Sequence, residues 1–380
     1  MKKVLKSFVS LFALSTLLPV GAFAQEAEDF KAILITDVGG VDDKSFNQGA
    51  WEGLKEWGTE NGLEEGTDFT YLQSNTDSDY ITNLNTAIQG GFDITYAIGF
   101  KLAPAIEEMA KQYPDNYFAI VDSVVDLPNV ASLTFKDNEA AFLAGVAAAK
   151  NTETKKVGFI GGVEGEVIGR FEAGFFAGVA AVDPEIEIVK EYAGSFNDAT
   201  KGKTIASAMY ANNVDVIFHA SGGTGNGLFA EAKDLVAADP ERKIWAIGVD
   251  LDQSAEGVVE VDGEERNIVL TSTLKNTGPA VKEFTNKMMA EGFTGGVIQS
   301  DISNGGVGLS EGQLDEETLK LIEDFKAKIA SGELIIPEVP GEELKEGSAS
   351  EVSEEEKAEE DSAEETEAEE EESAEETSAE

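Results

Sequence analysis

The stretch ITDVGGVDDKSFNQGAWEGL (residues 35–54) decides the fold. An apolar run enters a glycine turn crowded by Asp37, Asp42 and Asp43, and an amphipathic run leaves it. Such a strand–turn–helix unit, with polar side chains at the turn, is the building block of open α/β proteins. Those proteins bind ligands at the carboxyl ends of their strands. Asp42 and Asp43 stand where a helix would start, so they are candidates both for capping it and for gripping a ligand. Asp37 directly follows the apolar run and is the stronger candidate for a ligand. Asn47, one turn into the helix, offers both a donor and an acceptor. Phe46 shares helical spacing with Ala50 and Leu54, so it suits the core as well as a stacking role.

The same alternation continues outward from this stretch. Nine further runs with strand character follow: DFTYLQS (68–74), DITYAIG (93–99), YFAIVD (117–122), VASLTF (130–135), KVGFIGG (156–162), IEIVKEYAG (186–194), VDVIFHA (214–220), KIWAIGVD (243–250) and NIVLTSTL (267–274). Most are apolar at successive positions, as expected for strands covered on both faces. Helical runs such as NEAAFLAGVAAAK (138–150) and GPAVKEFTNKMMAEG (278–292) lie between them. The pattern predicts a doubly wound α/β protein. It breaks after VASLTF and restarts at KVGFIGG, which places the end of a first lobe near Lys136.

Composition narrows the function. The chain of 380 residues carries 74 Asp+Glu against 28 Lys+Arg, a net charge of −46. That field repels nucleic acid and anionic lipid surfaces. There is no Cys, which removes disulfides, zinc–thiolate sites and thiol nucleophiles. Lys2, Lys3 and Lys6, the apolar FVSLFALSTLLPVG (8–21) and Ala22-Phe23-Ala24 read as a signal peptide cleaved before Gln25. An exported protein meets little ATP or NAD. Residues 341–380 hold twenty Asp/Glu and two Lys. With so few apolar side chains they cannot offset an ordering cost of roughly 1–2 kcal/mol per residue, so disorder is expected there.

Four further positions carry candidate chemistry. Asp122 and Asp250 each end an apolar strand, one in each half of the chain. Two carboxylates facing each other across a cleft suit the vicinal hydroxyls of a sugar. Lys275 would add a donor and offset their repulsion. Phe196, in GSFNDATKG (194–202), precedes a helix start and can stack on a flat ligand. The glycine cluster FHASGGTGNG (218–227) resembles a dinucleotide fingerprint but lacks its full spacing, and no phosphate-loop motif is present. Glycine there would let the backbone approach a ligand, with free N–H groups at the helix start. His219 is the only histidine; in a strand-like run without an obvious partner, it reads as structural.

Two enzyme readings are weighed and set aside. Nucleoside hydrolases carry a calcium-binding aspartate cluster after a first strand. Here Ile35 replaces its first aspartate, the turn is one residue longer and Lys44 competes for the charge. Nucleophilic or acid–base chemistry without Cys or a second His would rest on carboxylates alone. Nothing in the chain requires a metal or a cofactor.

Taken together, TDVGGVDDKSFNQGAWEGL, YAIGF, YPDNYFAIVDS, FHASGGTGNG, AIGVDLDQ and TSTLKN, in this order, resemble the basic membrane protein (PnrA-like) family, over roughly Ala32 to Ser310. That resemblance implies a type I periplasmic-binding fold: two doubly wound α/β lobes joined by three crossings and closing by a hinge. It implies a first lobe of residues 30–136 plus 272–296, a second of 137–271 plus 297–337, and an acidic tail from 338. It further implies a monomeric substrate-binding protein of an ABC importer that hands a nucleoside, purine foremost, to a permease. A related flat or sugar-like ligand such as riboflavin, or a sensor as partner, are the variants. By the resemblance Asp37 or Asp43, with Asn47, reads the base edge. Phe46 and Phe196 sandwich the base; Asp122, Asp250 and Lys275 clamp the ribose; Gly223 gives a backbone donor. Family members are commonly lipoproteins. This chain lacks the cysteine, so a freely diffusing periplasmic protein is expected. An acidic surface of this density suits salty surroundings, so added salt should raise the urea midpoint; an unchanged midpoint would contradict that reading.

Overall fold

The computed structural model describes residues 30–347. The expected signal peptide and residues 348–380 of the acidic tail lie outside them. Each of the ten runs named above contains a strand. The first, β1 (Ala32–Thr36), is buried at all five positions, because helices cover both faces of its sheet.

The first lobe contains β1, α1 (Phe46–Glu60), β2 (Phe69–Leu72), α2 (Asp79–Gly90), β3 (Ile94–Ile98), α3 (Ala103–Gln112), β4 (Tyr117–Val121) and β5 (Val130–Phe135). Its six-stranded sheet runs β2-β1-β3-β4-β5-β13, all parallel, with β13 (Gly296–Ser300) at the edge. The second lobe contains α4 (Asp137–Asn151), β6 (Lys156–Gly161), α5 (Glu166–Val182), β7 (Glu187–Tyr192), α6 (Ala199–Ala211), β8 (Val216–Ala220), α7 (Asn226–Ala238) and β9 (Trp245–Gly248). A hairpin of β10 (Val258–Val261) and β11 (Glu264–Asn267) leads into β12 (Val269–Lys275). Its sheet runs β7-β6-β8-β9-β12-β14, the same winding order, with only β14 (Val307–Leu309) antiparallel. In this winding the order reverses beside the first strand of each sheet, and loops from neighbouring strands diverge there to leave a crevice.

Three segments cross between the lobes: β5 to α4, β12 to α8 (Thr277–Glu291), and β13 to β14. They lie side by side, since Lys136 N–H donates to Ser300 O at 2.9 Å and Asn276 N–H to Gly306 O at 2.9 Å. The lobe boundaries read from the sequence need two corrections. Residues 272–275 stay in the second lobe, because β12 is already paired with β9 and β14. Residues 297–300 belong to the first, because β13 pairs with β5 in the register Val297–Ser132 and Ile298–Leu133. The returning helix α8 does dock on the first lobe: Tyr96, buried in β3, bonds Thr285 Oγ1 at 2.6 Å. The expected start of a structureless tail at residue 338 is also corrected. After α9 (Glu316–Ala330), β15 (Leu334–Ile335) pairs with β16 (Lys345–Glu346), so ordered backbone reaches Gly347.

In the second lobe α4 and α5 cross with their backbones in contact. A Cβ at Gly174 would strike the Asn138 carbonyl, and one at Gly178 the Phe142 carbonyl. Backbone cannot yield as a flexible side chain would. Gly178→Val is therefore expected to lower the unfolding free energy by about 1–3 kcal/mol, read as a reduced urea midpoint at unchanged slope.

Candidate functional site

Both sheets point their carboxyl ends at one interlobe cleft, which is nearly closed and leaves about 50 Å³ of free volume. Asp37, Asp43, Phe46, Asn47, Asp122, Phe196, Asp250 and Lys275 all line it. Of the nine positions singled out from the sequence, Gly223 alone does not; Ser221 and Gly222 form that wall instead. The glycine cluster serves packing as much as access. A Cβ at Gly225 would collide with the His219 ring, and one at Gly227 with Ala199 O.

The opening stretch divides its three acids by role. Asp42 is exposed. Asp43 is buried and caps α1: Oδ1 accepts from Ser45 N–H (2.9 Å) and Gln48 N–H (3.1 Å), and Oδ2 from Asn47 N–H (2.9 Å). Asn47 then spends both amide hydrogens on carboxylates, Asp37 Oδ1 at 2.8 Å and Asp43 Oδ2 at 2.9 Å. Its Oδ1 is left buried without a partner. Asp37 Oδ1 also accepts from Gly39 N–H at 2.8 Å, and no protein hydrogen bond among the described residues uses its Oδ2. Asp37 and Asp43 therefore already spend most of their oxygens on N–H donors, which leaves few for a metal. No group of three or more His, Cys, Asp or Glu among the described residues could hold one.

Asp122 and Asp250 are counterparts, each just past the end of its strand, β4 or β9. Both have left-handed backbone, φ 65° and 66°, a conformation that Asp tolerates better than most residues. Lys275 bridges between lobes. Its Nζ lies 2.5 Å from Asp122 Oδ2 and 2.9 Å from Asp137 Oδ1. The rings of Phe46, Phe135 and Phe171 surround it at 5.2, 5.2 and 5.6 Å. Arg170 pairs with the other oxygen of Asp137 at 3.3 Å. Burial works against the ammonium, but Asp122, Asp137 and Asp250 outweigh it and hold Lys275 above its ordinary pKa. Asp122 Oδ1 stays buried and unpartnered. Asp250 Oδ2 accepts from Ser45 Oγ across the lobes, and no protein hydrogen bond among the described residues uses its Oδ1.

Phe46 and Phe196 are both half-buried at the cleft, one from each lobe. Phe196 also meets Phe100 edge-on at 6.2 Å. Sequence reasoning missed Phe100, Asp137 and Arg170. Asp137 was legible only as a first-turn acid of α4, although its carboxylate turns inward to the cation. His219 is buried and structural in its contacts: Nε2 meets Gln253 Oε1 at 3.0 Å. Burial lowers its pKa to about 4.

Two facing, doubly wound lobes with a polar cleft at their carboxyl edges define a solute-binding protein of the type I periplasmic class. A solute-binding protein of an ABC transporter system from Aeropyrum pernix K1 superposes with TM-score 0.71 at 27% identity, covering 82% of this chain and 94% of that one. One from Conexibacter woesei shares the fold at TM-score 0.63 and 21% identity, covering 81% and 99%. The chain belongs to the family of PnrA-like ABC transporter substrate-binding proteins, matched over residues 30–339. It is 51% identical to the CD4+ T-cell-stimulating antigen of Listeria monocytogenes over 322 residues, 83% of this chain and 90% of that protein. It is 47% identical to the ABC transporter nucleoside-binding protein BmpA of Lactococcus lactis over 321 residues, 83% and 92%. Basic membrane protein A of Borreliella burgdorferi is 34% identical over 315 residues, 81% and 87%. The family consists of binding proteins rather than enzymes, and this chain is a substrate-binding protein of an ABC transport system.

The buried acids carry a pH signature. Burial raises Asp250 to about 7 and Asp37 to about 6. The folded chain therefore holds these protons where the unfolded chain, near the ordinary 3.8, has released them. Their contribution is complete below about pH 4 and is lost as pH rises through about 6–7. His219 acts oppositely, losing stability as pH falls from its ordinary value toward about 4. Asp250→Asn isolates one acid. Relative to wild type it should be about 1–4 kcal/mol better tolerated at pH 8 than at pH 5, measured as paired urea melts. Parallel pH profiles would refute the assignment.

Proposed function

We propose that this protein captures an uncharged nucleoside, a purine foremost, between its two lobes and delivers it to the permease of an ABC importer. One observation carries the reading. Above about pH 7, where Asp37 and Asp250 are ionised, the cleft holds four acceptors that no protein donor among the described residues uses, Asp37 Oδ2, Asn47 Oδ1, Asp122 Oδ1 and Asp250 Oδ1. The ammonium of Lys275 is already shared between Asp122 and Asp137. A matching ligand must bring hydrogens and no anion.

A nucleoside answers both requirements. Its ribose offers hydroxyls to Asp122 and Asp250, beside Lys275. Its base offers an N–H edge to Asp37 and Asn47. Its flat ring suits Phe46 and Phe196, with Gly222 rather than Gly223 as the glycine at the wall. A nucleoside-binding relative at 47% identity supports the same ligand class. We place the protein in the periplasm as a monomer, exported by its signal peptide. The absence of cysteine from the sequence supports a protein without a lipid anchor. No helix of the described residues is long and apolar enough to cross a membrane.

Calorimetry tests the proposal. Guanosine, inosine or adenosine should bind, and the corresponding 5′-monophosphate at least about 100-fold more weakly, since like charges meeting at an interface cost several kcal/mol. Asp122→Ala and Asp250→Ala should each reduce affinity by about 10- to 100-fold, the worth of a hydrogen bond to a charged group. A monophosphate that binds as tightly as its nucleoside would overturn the reading.

A further inference from the structure

Three consecutive residues of the first lobe are each held by the second. Asn226 Nδ2 donates to Asp43 O at 3.3 Å, Gln253 Nε2 to Lys44 O at 2.8 Å, and Ser45 Oγ to Asp250 Oδ2. Asp43 caps α1 and locks Asn47, so this loop is also the floor of the cleft. Lys44 itself has left-handed backbone, φ 63°. Neither Asn226 nor Gln253 lines the cleft, and of these two only Gln253 bonds a residue, Lys44, that does not line it either.

The orientation of Gln253 is fully determined. Val249 N–H lies 2.8 Å from its Oε1 and can only donate, so the oxygen faces inward. His219 Nε2 lies 3.0 Å from the same oxygen and must therefore carry its proton there. His219 Nδ1 then accepts from Ser221 Oγ at 3.3 Å, and Ser221 lines the cleft. Gln253 N–H is tied to Ser272 Oγ at 3.1 Å. With its oxygen used twice inside the second lobe, the amide can present only N–H to the first. The buried, neutral imidazole thus sets the polarity of an amide that reaches across the lobes.

We propose that Gln253 is a positioning residue for closure: a latch, oriented by His219 and Val249, that holds the closed lobes through Lys44 O without touching the ligand. This rests on the binding-protein reading, yet it is testable without any ligand. Gln253→Glu, studied at about pH 8, keeps an oxygen for Val249 N–H and His219 Nε2–H. It replaces the one donor facing Lys44 O by an acceptor. Gln253→Met removes both polar groups at similar volume.

Because the chain has no cysteine, Asn75→Cys and Glu164→Cys, both exposed and one in each lobe, can carry spin labels in an otherwise label-free protein. Pulsed dipolar distances in the unliganded protein should show a short, closed population in wild type that Gln253→Glu and Gln253→Met both lose. Stopped-flow binding of guanosine should show dissociation faster by about tenfold, with association changed less than threefold, as expected when an interface bond is removed. A merely structural role would lower the melting temperature and leave the interlobe distances alone. Identical unliganded distance distributions in wild type and Gln253→Glu would overturn the latch. If guanosine fails to bind wild type, the ligand assignment falls, while the distance measurement still decides the latch.

Discussion

A buried ammonium at the hinge constrains the rest of the molecule. Lys275 closes β12, one step before the chain crosses to α8, and Asp137 opens α4, one step after the first crossing. Asp122 comes from the opposite lobe. Stripping such a cation of water costs several kcal/mol unless carboxylates and well-placed hydrogen bonds compensate. Removing the ammonium would leave the buried Asp122 carboxylate without a hydrogen-bond donor among the described residues. The ends of two crossing segments are thereby tied to one point, and the aromatic rings of Phe46, Phe135 and Phe171 shield that point from water.

The same cation makes the acids possible. Asp37, Asp43, Asp122, Asp137 and Asp250 are all buried, against Lys275 and a largely buried Arg170. The surplus is negative and much of it is already bonded: Asp43 to the start of α1, Asp137 to the two cations. What remains exceeds what the protein itself can satisfy. A cleft with spare acceptors and an engaged donor is selective by omission, since it offers an anion nothing and a hydroxyl or N–H a great deal.

Most of the scaffold was legible in the sequence because parallel strands covered on both faces must be largely apolar on successive positions, which AILIT, ITYAI and VIFHA are, with Thr36, Thr95 and His219 as their polar members. Where burial is one-sided the signal faded. β13, with its exposed Val297 and Ile298, and the short β14 to β16 carried no comparable run, and the lobe boundary at 297 slipped there, while the one at 272 fell inside β12. The acids at strand ends were legible for a similar reason: a carboxylate directly after a buried strand has few places to go except the sheet edge. Asp137 was hidden because a first-turn acid is unremarkable in any helix, and its partner lies 138 positions away. The glycines of 222–227 misled in part, since Gly225 makes room for a histidine ring rather than for a ligand.

The loop of residues 37–47 joins these two levels. Its acids cap α1 and orient Asn47, and its backbone carbonyls receive the second lobe. Asn47 cannot turn its amide to suit an acceptor-bearing ligand, because both hydrogens are committed to Asp37 and Asp43. The polarity of the cleft floor is therefore set before a ligand arrives, and little ordering remains to be lost on binding. Gln253, Asn226 and Asp250 all bond this loop, so a surface that lines the cleft is also the surface that meets the second lobe. A ligand that bonds Asp250 shares that carboxylate with Ser45 of the other lobe. Such shared contacts are one physical way for binding and domain closure to be a single event, with the differential contacts of the closed state supplying the free energy.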